Sequence, residues 1–154
     1  MILGPSIRTA VTRTALTAVA VAALMAAQPA ATAANASSSQ NSQQQVACSC
    51  VLYVRSRVPS LPGLAYARDY TEARMRSFGY KKVNPTAGAI LVWDANQKGA
   101  GGLGHIAIVR SARYDTRTKK WIIVVDQANW GTACSISTTQ FTWGDLYGVN
   151  AYVR

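Results

Sequence analysis

An Ala-rich apolar run covers Thr14 to Ala27, and the pattern changes abruptly after it. Asn35 to Gln45 is Ser/Asn/Gln-rich and holds no large apolar residue, so it buries too little surface to offset its ordering entropy; a flexible linker over 35–45 is predicted. From Cys50, the apolar positions Val51, Leu52, Tyr53, Val54 and Val58 suit a short helix that Pro59 and Pro62 interrupt. Leu64 to Phe78 repeats apolar positions at helical spacing, pairs Arg68 with Glu72, and meets Gly79 as a stop, which predicts a second helix. Beyond Gly88 the periodicity gives way to a continuous run, Ala89-Ile90-Leu91-Val92-Trp93, expected as a strand buried on both faces. A glycine-rich loop, Asp94 to Gly104, leads into strands expected at His105–Ser111, Lys120–Gln127 and Val149–Val153, with a turn at Trp143–Gly148. Helices followed by a run of strands predict an α+β domain, N-terminal helices packed on an antiparallel sheet.

The segment before the linker changes the picture of where this domain works. Met1 to Arg13 carries Arg8 and Arg13 and no acid, the apolar run follows, and Ala31-Thr32-Ala33 supplies a small-x-small site. These are the parts of a secretory signal peptide over 1–34, which leaves 46–154 as the folded domain. The run is shorter than the roughly 20 residues a spanning helix needs, so no stable membrane anchor is expected after cleavage. The expected localisation is secreted, extracellular or associated with a cell wall.

Charge sharpens the choice of partner. Taking Arg8 and Arg13 from the 16 basic residues leaves 14 against 6 acidic ones, a net of +8 for the exported form. Such an excess favours polyanions, and export makes the anionic polymers of a cell wall a better match than nucleic acid. The basic residues are dispersed and not interleaved with aromatics as a base-stacking surface would require. A monomer without nucleic-acid partners is expected.

Three cysteines remain, Cys48, Cys50 and Cys134, and an odd count in an exported chain leaves one unpaired. With Cys50 kept free for chemistry, Cys48–Cys134 is the natural bridge, since a Cys48–Cys50 ring with one intervening residue is strained. Cys50 lies where the first helix begins, and His105, the one histidine, opens a strand after the glycine loop. A helix start and a neighbouring imidazolium both lower a thiol pKa, and an imidazole can take the thiol proton and return it to a leaving amine. A third group must fix the imidazole, and Asp126, Gln127 and Asn129 are the candidates. A carboxylate stabilises imidazolium better, which favours Asp126; strand alternation favours Gln127 or Asn129. A zinc set of Cys48, Cys50, His105 and Cys134 has the right count but an unusual Cys-x-Cys spacing, and no metal or other cofactor is expected.

Four short motifs in order then carry a resemblance. Cys50-Val-Leu-Tyr53-Val54, Pro85-x-x-Gly88-x-Ile-x-Val-Trp93, Gly104-His105-Ile-Ala107-Ile-Val109 and Asp126-Gln-Ala-Asn129-Trp130 resemble CHAP domains, the cysteine, histidine-dependent amidohydrolase/peptidases. The resemblance spans nearly all of 46–154 and implies a papain-like α+β fold. It further implies cleavage of amide bonds in bacterial peptidoglycan, as an N-acetylmuramoyl-L-alanine amidase or an endopeptidase. Cys50 matches the nucleophile and His105 the base. The third family residue is often a Glu two before an Asn; here Gln127 stands there, Asn129 is the Asn, and Asp126 is one step off. The oxyanion would be held by the Cys50 N–H and a nearby donor such as Ser49. Trp130, and with it Tyr53, are the aromatic candidates for substrate contact. The alternative is a wall-binding protein that keeps the fold without cleaving its polymer.

Overall fold

The computed structural model describes residues 40–154. The expected signal peptide and the first part of the expected linker lie outside these residues. Residues 40–47, which take in the remainder of that linker, form a helix (α1). Glutamine is a good helix former; residues 40–45 stay exposed, and Val46, the first residue of the expected folded domain, packs against the core.

Helix α2, Cys50–Arg57, starts where Ser49 breaks from α1 and its Oγ accepts from the Leu52 N–H at 3.2 Å. It buries Val51, Tyr53 and Val54 and carries Arg55 and Arg57 at its C-terminal end, where cations suit the helix dipole. The long helix expected over 64–78 is instead a 3₁₀ turn, Ala67–Asp69, and a short α3, Glu72–Ser77. Two hydrogen bonds, one of them long-range, explain the break. The Arg68 N–H is spent on Leu103 O at 2.9 Å, in the glycine loop, and the buried Tyr70 hydroxyl donates to Pro62 O at 2.8 Å. Thr71 then restarts the chain as the N-cap of α3.

All strand pairs in the single six-stranded sheet are antiparallel, in the order β1-β6-β2-β3-β4-β5. The strands are β1 Lys81–Val83, β2 Ile90–Trp93, β3 His105–Asp115, β4 Lys120–Ala128, β5 Ile136–Trp143 and β6 Val149–Val153. Neither β1 nor β5 was expected from the pattern. The first is three residues long and too short to show a period. The second alternates half-buried Ser137, Thr139, Phe141 and Trp143 with exposed residues, so its inward face is half polar. Its wealth of β-branched and aromatic residues is the signal that identifies it.

The sheet is buried on both sides, as the apolar run of β2 requires. Ile90, Val92, Ile106 and Tyr152 pack with Val51 and Val54 of α2. Leu91, Trp93, Ala107, Val109, Ile123 and Val125 form the core of the opposite face, with Trp121, Trp130, Phe141 and Trp143 packed against it. Among the described residues no helix is long and apolar enough to cross a membrane.

Candidate active site

A glycine-controlled turn presents the histidine. Gly104 has φ +70°, and a Cβ there would stand 2.6 Å from the Trp93 carbonyl oxygen and 2.8 Å from the Arg68 nitrogen, so only glycine fits between the 3₁₀ turn and β2. His105 follows as the first residue of β3, opposite Trp93 on β2. The register with β4 begins only at Ile108↔Asp126, so the first residues of β3 extend past that ladder at the rim of the sheet.

The imidazole is 3 % exposed and lies among aromatic rings, with its centroid 5.2 Å from Trp93 and 4.6 Å from Trp130. Its Nε2 is 2.9 Å from Oε1 of Gln127, a side chain with no exposure. A carbonyl oxygen only accepts, so Nε2 carries the proton and Nδ1 is the basic nitrogen of the neutral ring. Burial, set against the Gln127 bond, pushes the His105 pKa down to about 4. The ring is therefore neutral at physiological pH.

Of the three candidates for orienting this ring, Gln127 is the one that reaches it. Asp126 points to the other face, where its carboxylate accepts from Arg110 Nε at 3.1 Å and from the Thr138 hydroxyl at 2.6 Å. Alternation along β4 places it there, since no bulge interrupts the strand between Asp126 and Ala128. Asn129 lines the histidine cavity but spends its Oδ1 on the Cys134 N–H at 3.1 Å, shaping the loop after β4.

Cys50 is the free cysteine, at the first position of α2 and half-buried against the helix-side core. Backbone N–H groups of Ile106, Val51 and Cys50 itself face its sulfur. The Ile106 amide belongs to the residue after His105, so the thiol abuts the start of β3. Desolvation outweighs these donors and raises the thiol pKa. This reverses the depressed value expected from a helix start and a neighbouring cation. The helix amides are present, but burial is the larger effect, and a neutral imidazole offers no positive charge.

The pairing of Cys48 with Cys134 is as expected, across 86 residues of sequence. It consumes two of the four side chains of the zinc set. The bridge fastens the α1–α2 turn to the loop 129–135, whose Asn129, Trp130 and Gly131 line a cavity of about 300 Å³ beside His105, with Gly99 and Ala100 opposite. Trp130 thus stands at the imidazole. Tyr53 does not: it is buried in α2, with Arg57 over its ring at 5.6 Å, beside a separate depression with Val46 and Ile136. The Ser49 hydroxyl accepts from the Leu52 N–H as the cap of α2, and the backbone amides of Cys50, Val51 and Ile106 are the donors that face the sulfur.

Residues 38–129 match the CHAP domain family. Among solved structures, an N-acetylmuramoyl-L-alanine amidase from Staphylococcus aureus is similar, with a TM-score of 0.56 and 21 % identity over 69 % of this chain. The match spans 30 % of that protein's length. At this identity the likeness establishes the α+β, papain-like fold. No curated protein matches the sequence. The family match covers more than half of the chain, and the protein belongs to the CHAP domain family.

Proposed function

We propose that the protein is a secreted cysteine hydrolase of bacterial peptidoglycan, an N-acetylmuramoyl-L-alanine amidase or an endopeptidase. The observation that carries this reading is the position of the free Cys50 thiol, at a helix start and against the amide of the residue beside His105. The solved relative is named as an amidase, and the exported character of the N-terminus, the disulfide and the basic charge suit a wall substrate. Anionic wall polymers are the partners that the charge excess favours.

The chemistry follows from the neutral resting pair. His105 Nδ1 takes the Cys50 proton as sulfur attacks the amide carbon, so thiolate forms during attack and is not stored beforehand. The amides of Cys50, Val51 and Ile106 surround the reacting sulfur and are available to the oxyanion. The imidazolium then returns its proton to the leaving amine, and water, deprotonated by the same nitrogen, releases the acyl group from sulfur. Gln127 keeps Nε2 hydrogen-bonded throughout, but its neutral amide stabilises the imidazolium less than a carboxylate would.

That same neutral amide, with the buried imidazole and the raised thiol, favours a second reading: a wall-binding protein that retains the fold without turnover. Zymograms with wild type and Cys50→Ala separate the two. Clearing by wild type, with none by the variant and wall binding retained, is the expected result. Equal clearing by both forms excludes Cys50 chemistry, and no clearing by either supports the binder. Mass spectrometry of the released fragments then assigns the bond: new N-termini within the stem or cross-bridge peptide mark an endopeptidase, and an N-terminal L-alanine with free lactyl-linked glycan marks an amidase.

A further inference from the structure

We propose that Thr139 on β5 is a positioning residue that sets the tautomer of His105 through Gln127. The inference rests on the hydrolase reading above for its catalytic consequence, but its structural content stands apart from turnover.

Gln127 is fully buried and has two polar ends to satisfy. Its Oε1 meets His105 Nε2 at 2.9 Å, and its Nε2 donates to Thr139 Oγ1 at 2.8 Å. The amide is thus held at both ends, with the oxygen turned to the imidazole and the nitrogen to the hydroxyl. Turned the other way, the amide would present N–H to the ring. The neutral imidazole would then have to accept at Nε2 and carry its proton on Nδ1, the nitrogen needed as base. An imidazolium, which donates from both nitrogens, would have no acceptor at Nε2. Thr139 sustains the observed orientation by accepting from the amide N–H₂; without that hydroxyl the N–H₂ is left buried and unpaired unless the amide turns it to the ring.

The register explains why this threonine does it. Thr139 pairs with Val125, which places it diagonally from Gln127 on the same face of the sheet. Thr138, one residue earlier, faces the other way and donates to Asp126 at 2.6 Å. Two adjacent threonines therefore serve opposite faces of the sheet, and only the second reaches the histidine through a neighbour. A hydroxyl at 139 is required for this role. Valine has the same shape but leaves the amide nitrogen buried and unpaired, or lets the amide turn over.

The chain contains a single histidine, so ¹⁵N-histidine labelling of the untagged protein reads His105 alone. At pH 7 the wild type is expected to show a neutral ring protonated at Nε2, with Nδ1 in the unprotonated range. Thr139→Val is expected to move population to the Nδ1-protonated form and to lower kcat about tenfold with KM little changed. Thr139→Ser should restore the wild-type spectrum, and Thr138→Val should leave it untouched. A wild-type ring protonated at Nδ1 overturns the proposal even if no variant folds. So does a Thr139→Val spectrum identical to wild type. Because the tautomer is read without substrate, its loss and the failure of the hydrolase reading are separate results. A protein with the expected tautomers and no clearing activity sinks the hydrolase alone.

Discussion

The two faces of the sheet are built from different materials. Under α2 the core mixes aliphatic side chains, among them Ile90, Val92, Ile106, Val51 and Val54, with four buried tyrosines, Tyr53, Tyr70, Tyr80 and Tyr152, and the thiol of Cys50 lies at its edge. The other face gathers Trp93, Trp130, Phe141 and Trp143 around two buried polar side chains, His105 and Gln127. On the helix side polar groups find partners at the margin, the Tyr70 hydroxyl on Pro62 O and the Tyr80 hydroxyl beside Ser60 Oγ, and the thiol sits at the rim. The aromatic face holds an imidazole whose Nε2 is bonded to Gln127, itself held by Thr139. The free thiol and the buried imidazole thus belong to opposite faces, and the link between them is the Ile106 amide, next to His105 at the start of β3, which faces the Cys50 sulfur.

Cys48–Cys134 is the covalent tie between these halves, and cutting it is the strongest way to break the comparison. It closes a loop of 86 residues, for which chain entropy gives about 4.6 kcal/mol. Reduction should lower the melting temperature markedly and loosen the loop that carries Trp130. A melting curve unchanged by reductant would show that packing alone fixes the two sides.

Acid should act on the aromatic face next. The His105 pKa is about 4 in the fold against about 6.5 in the unfolded chain, so the unfolded state binds more protons between these values. Stability is fully present above about pH 6.5 and is lost as pH falls through about 4, by about 3 kcal/mol in all. Denaturant melts of wild type and His105→Asn across this window measure the contribution as the difference in slope. Parallel curves would show that the imidazole is not held neutral by burial.

How much of this was legible depends on whether the cause was local. Helix α2, strand β6 and the apolar run of β2 follow from periodicity and turn residues close in sequence, and they stand where the pattern put them. The helix expected through Tyr70 failed because the Arg68 amide is claimed by Leu103, some thirty residues on, which no local pattern reveals. Residues 40–45 of the expected linker are helical yet exposed, and Val46, where the folded domain was expected to begin, is the one that packs against the core. At the site, alternation alone favoured Gln127 over Asp126, and the chemical preference for a carboxylate left the matter open. The side chains divide as alternation requires, with Asp126 paired to Arg110 on the other face. The acidity of Cys50 was the part least accessible. A helix start could be seen in the sequence, whereas the depth of burial that outweighs it is a property of the packed fold. The role of Thr139 depends on a strand, β5, whose pattern was not recognised.

The central claim is that Nδ1 of His105 draws the proton from Cys50. The pH dependence of Cys50 alkylation by iodoacetamide, in wild type and His105→Asn, tests it most directly. With a general base beside the thiol, the wild-type rate should rise as the imidazole loses its proton, near pH 4 to 5, and hold a plateau through neutrality. The variant should show only the alkaline limb of an unassisted buried thiol. Superimposable profiles, with no plateau in either protein, would contradict the account.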